Sequence, residues 1–235
     1  MGKRFIGCDF SHSEFDACLL RNCVFDSCDF VGAKFKGTNL RGTRFECCRF
    51  DYAEFSNTHL EAHILETNCP ERENILQKFA RSLRVNFQQI GDSDAANRAI
   101  LVELDATRVH LKKAWHSKHP YYRKKYHGIH RALMFLDWAK FEALHYFWGN
   151  GESLFKLLRS IIFLLIIISA CDVFLLRDYN KVGNYISALA ASPQVLLGVV
   201  KPEQYGGLVL AAIASARYIL FACLVSVFIK RLSRR

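Results

Sequence analysis

Large apolar residues recur at every fifth position over the first quarter of the chain. From residue 5 to residue 60 each such position holds Phe or Leu, and from residue 8 onward a small side chain lies two residues earlier. The cysteines among these small residues are Cys8, Cys18, Cys23, Cys28 and Cys48. A period of five fits neither a helix nor a strand. It predicts a coil that turns a corner once per repeat and directs one large side chain inward.

This pattern, over residues 3–65, resembles that of the pentapeptide-repeat proteins. The resemblance implies a right-handed quadrilateral β-helix, a pentapeptide solenoid with four repeats per turn and so about three turns here. We assign residues 1–68 to this domain. Its 8 basic and 9 acidic residues over positions 1–65 argue against an acidic mimic of DNA. A docking or self-association platform is the function we predict for it, and a rigid spacer is the alternative.

Apolar residues spaced by three and four predict helices in residues 69–153, a cytoplasmic α-helical linker domain. The first helix follows Pro70 and carries Leu76, Phe79, Leu83, Phe87 and Ile90. The next extends over roughly Asp94–Trp115, and a further one over about His130–Trp148. We expect the first two to form a hairpin that seals the end of the solenoid, since small residues near residue 95 allow close packing.

A basic juxtamembrane segment lies within this helical domain. Its cations, interleaved with histidines and aromatic residues, are Arg108, Lys112, Lys113, Lys118, Arg123, Lys124, Lys125 and Arg131. Such a segment can meet anionic lipid headgroups, hold single-stranded nucleic acid, or form a solvated helical face. The histidines fall on several helical faces with no acidic ligand nearby, so we predict no metal site.

Two apolar runs, Ser160–Leu176 and Gly206–Ile229, dominate the last third of the chain. Each is long enough to cross a bilayer, the first once residues 154–158 lead into it. Residues 154–235 are therefore predicted to form a two-helix transmembrane domain. Cations flank the first run and follow the second, which places both termini in the cytoplasm. They are Lys156, Arg159, Lys230, Arg231, Arg234 and Arg235.

The position of the charges supports this topology. Residues 106–159 hold 11 basic and 3 acidic residues, most of the net charge of +10. The chain opens Met-Gly-Lys-Arg and goes straight into patterned sequence, so we expect no signal peptide.

The linker between the runs contains Asn184–Pro193, which can form a short re-entrant helix. An aromatic residue followed by Gly149-Asn150-Gly151-Glu152 before an apolar run resembles the junction in bacterial membrane proteins that join pentapeptide repeats to a two-helix ion-channel domain. The layout is similar to that of two-transmembrane pore-loop channels. Tyr185, Ser187 and Pro202 fall where channel-like members place similar residues.

The filter region departs from the potassium channels. The corresponding run is Ser192, Pro193, Gln194, Val195, Leu196, Leu197 and Gly198. It lacks the glycine–aromatic–glycine core whose carbonyl oxygens replace the hydration shell of potassium, so we expect no potassium selectivity. A pore would be weakly selective, differently selective, or closed by an apolar constriction at Val195–Leu197.

Two ionisable residues lie inside the apolar runs, Asp172 and Arg217. Charges within a bilayer are costly and usually face a partner, a cavity or water. The two could pair within or between subunits, or Arg217 could line a pore that favours anions.

These features predict an oligomeric ion-channel-like or pore-forming protein of the bacterial inner membrane, gated or scaffolded by its solenoid. The alternative is a non-conducting scaffold that recruits a cytoplasmic partner. Expected partners are membrane lipids, further copies of the chain, ions, and a protein or nucleic-acid trigger. Resemblance alone suggests a toxic effector in antiviral defence. We find no nucleophile–base pair, phosphate loop or metal cluster, so we predict no enzyme and no cofactor.

Overall fold

The computed structural model describes residues 2–176, 180–200, 202 and 205–232. The chain divides into two compact units, Met1–Trp138 and Ala139–Arg235. The first unit contains the repeat region and most of the predicted linker helices, and the second contains both apolar runs. Within the described residues, the repeat region holds six three-residue strands: β1 Arg4–Ile6, β2 Glu14–Asp16, β3 Val24–Asp26, β4 Lys34–Lys36, β5 Arg44–Glu46 and β6 Glu54–Ser56.

The strands pair in parallel at an offset of twenty residues. They form two three-stranded sheets, in the orders β1-β3-β5 and β2-β4-β6. Phe5 lies opposite Phe25, and Phe25 lies opposite Phe45. Isolated bridges such as Asp9 with Asp29 repeat the same offset between the sheets. Twenty residues are four repeats, the number per turn that the sequence resemblance implies.

The large residues of the repeat form the core of this region. Phe rings twenty residues apart are nearly parallel, with centroids 4.8–5.5 Å apart, in the columns Phe5–Phe25–Phe45, Phe10–Phe30–Phe50 and Phe15–Phe35–Phe55. Rings from neighbouring columns meet edge to face, as Phe25 and Phe30 do at 5.3 Å, or at a tilt, as Phe30 and Phe35 do at 5.7 Å. Aromatic pairs favour both offset-stacked and edge-on arrangements. The predicted inward direction of every fifth residue is thus confirmed.

The corners of the coil are visible in the backbone. The residue two positions after each large residue, from residue 7 to residue 57, has a φ between 47° and 72°. Gly occupies four of these positions, and Asn, which tolerates the left-handed region, occupies two. One left-handed residue per repeat confirms the predicted corner once per repeat.

The small residues have a second role beyond fitting a narrow interior. Their thiol or hydroxyl group donates to a carbonyl of the preceding turn, as in Thr38 Oγ1 to Phe15 O at 2.8 Å and Cys48 Sγ to Phe25 O at 3.3 Å. All nine cysteines, which lie within the described residues, are free thiols. Burial raises the pKa of Cys48 to about 11, so that thiol stays protonated as a donor.

Helices follow the repeat: α1 Ile64–Thr67, α2 Glu73–Gln89 and α3 Ser93–His116. Helix α2 packs on the last strand, β6, and supplies hydrogen-bond partners for the backbone of this strand and of the two residues after it. Asn86 Oδ1 accepts from Thr58 N at 2.7 Å, and Asn86 Nδ2 donates to Thr58 O at 2.8 Å. Ser82 Oγ accepts from Phe55 N at 2.9 Å, and Gln89 Oε1 accepts from Asn57 N at 3.0 Å. The first helix of the predicted hairpin therefore covers the end of the repeat region.

The α2–α3 hairpin is joined by an acidic cap and a shared carboxylate. Asp92 accepts from Ala95 N at 2.9 Å and begins α3. Glu103 accepts from Arg81 and Arg84 at 2.7 and 2.8 Å, which ties α2 to α3.

Two further helices are α4 Pro120–Lys125 and α5 Ile129–Trp148. The sequence predicted α5 to within one residue at its start, but it did not predict α4.

The second unit contains α6 Leu154–Leu176, α7 Val182–Leu197 and α8 Gly207–Leu232. Helices α6 and α8 are long and apolar enough to span a membrane, over Leu154–Phe174 and Gly207–Lys230. Only 28% of the first span and 6% of the second is buried within the chain. Large side chains such as Phe163 on α6 and Phe221 on α8 are therefore exposed.

Candidate functional site

The candidate site is the cluster in which α6, α7 and α8 meet. Its buried apolar residues come from all three helices: Leu157, Ile168, Val195, Leu196, Leu220 and Val227. Helix α7 buries one face, formed by Ala188, Ser192, Val195 and Leu196. At 16 residues it is about 24 Å long, shorter than the hydrocarbon core of a bilayer at about 30 Å.

Helix α7 continues through a proline. Pro193 has no N–H to donate to the carbonyl of Leu189, and the hydroxyl of Ser192 donates to that carbonyl instead, at 2.9 Å. The observed helix, Val182–Leu197, extends beyond the predicted Asn184–Pro193 at both ends. The run predicted to occupy the filter position, residues 192–198, forms the last part of this helix and its C-terminal cap, Gly198.

Gly198 ends α7 in the left-handed conformation, with a φ of 77°. Arg217 of α8 reaches this helix end and donates from Nη1 to the carbonyl of Leu197 at 2.9 Å. A Cβ atom on residue 198 would lie 1.9 Å from Nη1 of Arg217. The backbone angle therefore favours glycine, and a side chain at this position would displace the guanidinium, whose charge suits a helix C-terminus.

The two charges predicted inside the apolar runs have different partners. Besides Leu197, the Arg217 guanidinium lies 5.1 Å from the ring centroid of Tyr218. Asp172 is buried on α6 and accepts from the hydroxyl of Tyr205 at 3.0 Å. In the part of the chain that the structure describes, no ion pair joins Asp172 to Arg217. Pairing between subunits stays a prediction. Tyr205 was missed because nothing in the sequence links it to a residue 33 positions earlier.

The predicted pore residues of α7 fall on different faces. Ser187 and Gln194 are exposed on one stripe of the helix, Leu197 is exposed at the edge of that stripe next to Ile186, and Tyr185 is exposed on another stripe. Ser192, Val195 and Leu196 are buried in the helix cluster. Of the predicted apolar constriction at Val195–Leu197, only Leu197 is thus free to face a pore, because the other two pack within the chain.

The turn between α5 and α6 contacts the far end of α8. Gly149, Asn150 and Gly151 all have positive φ values, and this bend precedes α6. Lys230, near the end of α8, donates to Glu152 Oε1 at 3.2 Å and to Gly151 O at 3.4 Å. The start of α6 and the end of α8 therefore lie at the same end of this unit. Arg234 and Arg235 lie outside the described residues.

The basic juxtamembrane segment is distributed over three helices of the first unit. Arg108, Lys112 and Lys113 are on α3, Arg123, Lys124 and Lys125 are on α4, Lys118 lies between them, and Arg131 is on α5. Some of these cations make internal contacts. Lys113 pairs with Glu73, Lys125 lies over the rings of Tyr121 and Tyr126, and Arg131 donates to Trp115 O. Lys112, Lys118, Arg123 and Lys124 are exposed.

A polar cluster that the sequence did not indicate lies beside this segment. The buried Tyr122 hydroxyl is 3.1 Å from Glu73 Oε2 and 3.4 Å from His110 Nδ1, and the Tyr126 hydroxyl is 3.4 Å from His110 Nε2. Burial lowers the pKa of His110, and the charge of Lys125 lowers it further. Burial alone would raise the pKa of Glu73, but hydrogen bonds from Lys113 and Tyr122 outweigh it and lower that pKa.

We expect acid to loosen α3 and α4 through His110. Its pKa is lower in the folded chain than the ordinary value of 6.5, so the unfolded chain takes up the proton first. The contribution of neutral His110 to the free energy of unfolding is therefore fully present above about pH 6.5. It is lost as the pH falls below that value, by at most about 1.4 kcal/mol per pH unit for one proton. Amide exchange of α3 and α4 peptides in detergent, corrected for intrinsic rates, measures this. His110→Gln should flatten the pH dependence, and the exposed control His127→Gln should keep it; equal slopes in both variants would contradict the prediction.

Comparison with known proteins identifies only the repeat. Residues 3–69 match the family model described as a pentapeptide repeat region. No curated protein matches the chain. No solved structure matches it either. The match confirms the five-residue repeat and ends before the first helix of the predicted linker domain.

Proposed function

We propose that the chain assembles into an oligomeric pore in a membrane, with the repeat region outside the bilayer as its gating or scaffolding part. The observation that carries this proposal is α7, a helix too short to span, packed between two helices of spanning length. This is the arrangement expected of a re-entrant helix in a channel-like domain. Non-spanning backbone is tolerated at membrane depth only where protein or water surrounds it.

The surface of α7 supports an oligomer. Its buried face packs on α6 and α8, but two other stripes are exposed. One holds Ile186 and Leu189, with 68% and 50% of each residue exposed, and suits lipid or a neighbouring copy. The other holds Ser187 and Gln194 and suits an aqueous pore. Two spanning helices enclose no channel by themselves, so a pore requires further copies of the chain, and these stripes are the surfaces on which the copies could meet.

Ion preference in this proposal does not come from a carbonyl filter. The residues that correspond to a filter are helical, and the carbonyl of Leu197 is occupied by Arg217. Gln194 supplies a neutral polar ring in an oligomer, and Leu197, 67% exposed, supplies an apolar one. Apolar rings gate by excluding water. We propose a weakly selective pore that is closed at Leu197.

The proposed location is the inner membrane of a bacterium with both chain ends in the cytoplasm. The contact of Lys230 with Gly151 and Glu152 supports a hairpin whose two ends lie on one side. The cations near those ends favour the cytoplasmic side. For the repeat region we propose the right-handed four-sided solenoid, supported by the twenty-residue register. A cytoplasmic protein or a nucleic acid would act on this part as the trigger.

The test is reconstitution into planar bilayers. Leu197→Ser is expected to raise open probability at least several-fold, because a hydroxyl removes the barrier to wetting. Leu208→Ser is the matched control, since Leu208 is 89% exposed at the start of α8 and should leave gating unchanged. The absence of conductance from both the natural chain and Leu197→Ser, in vesicles shown to contain the protein, would contradict a pore.

A non-conducting scaffold is the second candidate, and the first turn of the repeat favours it. Strands β1 and β2 each pair on one side only, and Phe5, Phe10 and Phe15 are only partly buried. A ladder edge of this kind can accept a partner. Expression that leaves the membrane potential intact, together with capture of a defined partner that is lost on substitution in the first turn, would support the scaffold over the pore.

A further inference from the structure

Helix α5 packs on one face and exposes apolar side chains on the other. Its packed face meets Trp115 of α3, with Trp115 to Trp138 centroids 5.2 Å apart and Arg131 donating to the carbonyl of Trp115. Four of the six exposed large apolar residues of α5, spaced by four, three and eight, lie on one stripe, which we call the α5 stripe: Ile129, Leu133, Leu136 and Leu144. Their exposed fractions range from 40% to 79%. No residue of α5 is fully buried.

The sequence around α5 indicates lipid as the occupant of this stripe. The helix ends at Trp148, and after the bend at residues 149–151 the chain enters α6, which is long enough to span a membrane. Near that bend the guanidinium of Arg159 lies 4.1 Å from the ring centroid of the exposed Tyr146. Aromatic and basic residues of this kind are enriched at the headgroup level.

Charge supports the same occupant. Lys140 lies within the α5 stripe and is exposed. Against a second protein copy its ammonium group would be buried among leucines, whereas at a bilayer surface its stem lets the charge reach the headgroups. The cations that precede α5, exposed at Arg123, Lys124 and Lys125, would be attracted to anionic lipid.

We propose that α5 lies in the headgroup region of an anionic bilayer, with the α5 stripe directed toward the acyl chains. A helix in this position has its apolar face against the acyl chains and basic residues near the headgroups. The inference rests on the membrane location in the proposed function and adds a surface that no spanning helix supplies.

Spin labels on the full chain in nanodiscs containing phosphatidylglycerol test the proposal. In one variant p-acetylphenylalanine carrying the spin label replaces Leu136, which is 60% exposed. In a second variant, the control, it replaces Leu101 of α3, a leucine that is 62% exposed. The label at 136 should be at least several-fold more accessible to oxygen than to a water-soluble nickel chelate. The label at 101, between the exposed charges of Arg98 and Asp105, should show the reverse.

A third label, at Phe163 on α6, which is 61% exposed, tests the membrane location separately from the lipid contact of α5. Access of oxygen at 163 with access of nickel at 136 would overturn the lipid contact of α5 and leave the membrane location intact. Access of nickel at 163 would overturn the membrane location, and the interfacial helix with it. Spin–spin broadening at 136 that disappears on dilution with unlabelled protein would identify another copy as the occupant and would also overturn the proposal.

Discussion

Replacing Asn86 by Leu is expected to lower the free energy of unfolding of the first unit by about 2–6 kcal/mol. Asn86 is fully buried and makes two hydrogen bonds to the backbone of Thr58, itself fully buried. Leu fills a similar volume but leaves the N–H and the C=O of Thr58 without partners. Each unsatisfied buried group costs about 1–3 kcal/mol. Urea unfolding in mild detergent, followed by amide exchange of peptides from β6 and α2, measures the change.

Gln89→Leu is the matched control for that experiment. Gln89 lies on the same face of α2 and accepts from the backbone of Asn57, but it is exposed, so water can replace the lost bond. Its cost should stay below about 1 kcal/mol. Equal losses in the two variants would mean that the seal on β6 depends on general packing rather than on the pairing of Thr58.

The repeat region was predictable because a single constraint acts on every fifth residue. One large side chain must turn inward at each repeat, so the positions of the Phe and Leu residues could be taken directly from the sequence. The hydrogen bonds that the small residues donate could not be predicted in this way. The five-residue pattern explains only the small size of Cys48 and Thr58, yet each also donates to a carbonyl 23 residues earlier. Such a bond depends on the twenty-residue register, which becomes known only when the turns are stacked.

The second unit shows a different limit of sequence interpretation. Length and composition predicted α6 and α8, because a span of about 20 apolar residues has few other uses. Pro193 suggested an end of the intervening helix, but the hydroxyl of Ser192 replaces the missing backbone donor and the helix continues. The partners of Asp172 and Arg217 could not be predicted, since Tyr205 and Leu197 are brought to them only by the packing of three helices.

Gly198→Ala is expected to detach the end of α7 from α8. The left-handed conformation costs a residue with a side chain about 1–2 kcal/mol. The new Cβ atom also displaces the Arg217 guanidinium, which then loses its hydrogen bond to Leu197, a charged bond of about 1.5–3 kcal/mol. We expect a loss of about 2.5–5 kcal/mol, seen as a lower Tm in detergent and faster amide exchange in α7. If the proposed pore exists, its conductance should be lost as well.

Gly183→Ala separates this effect from the general cost of replacing a glycine. Gly183 lies in the first turn of α7, and an added Cβ meets no atom within 4 Å. That variant should be neutral or slightly stabilising, because Ala is the better helix former. Arg217→Ala, made alone and together with Gly198→Ala, completes a double-mutant cycle. It should lower the free energy of unfolding of the natural chain but have almost no further effect in the Gly198→Ala variant, where the contact is already broken. Additive losses in the double variant would show that Arg217 and the end of α7 are not coupled.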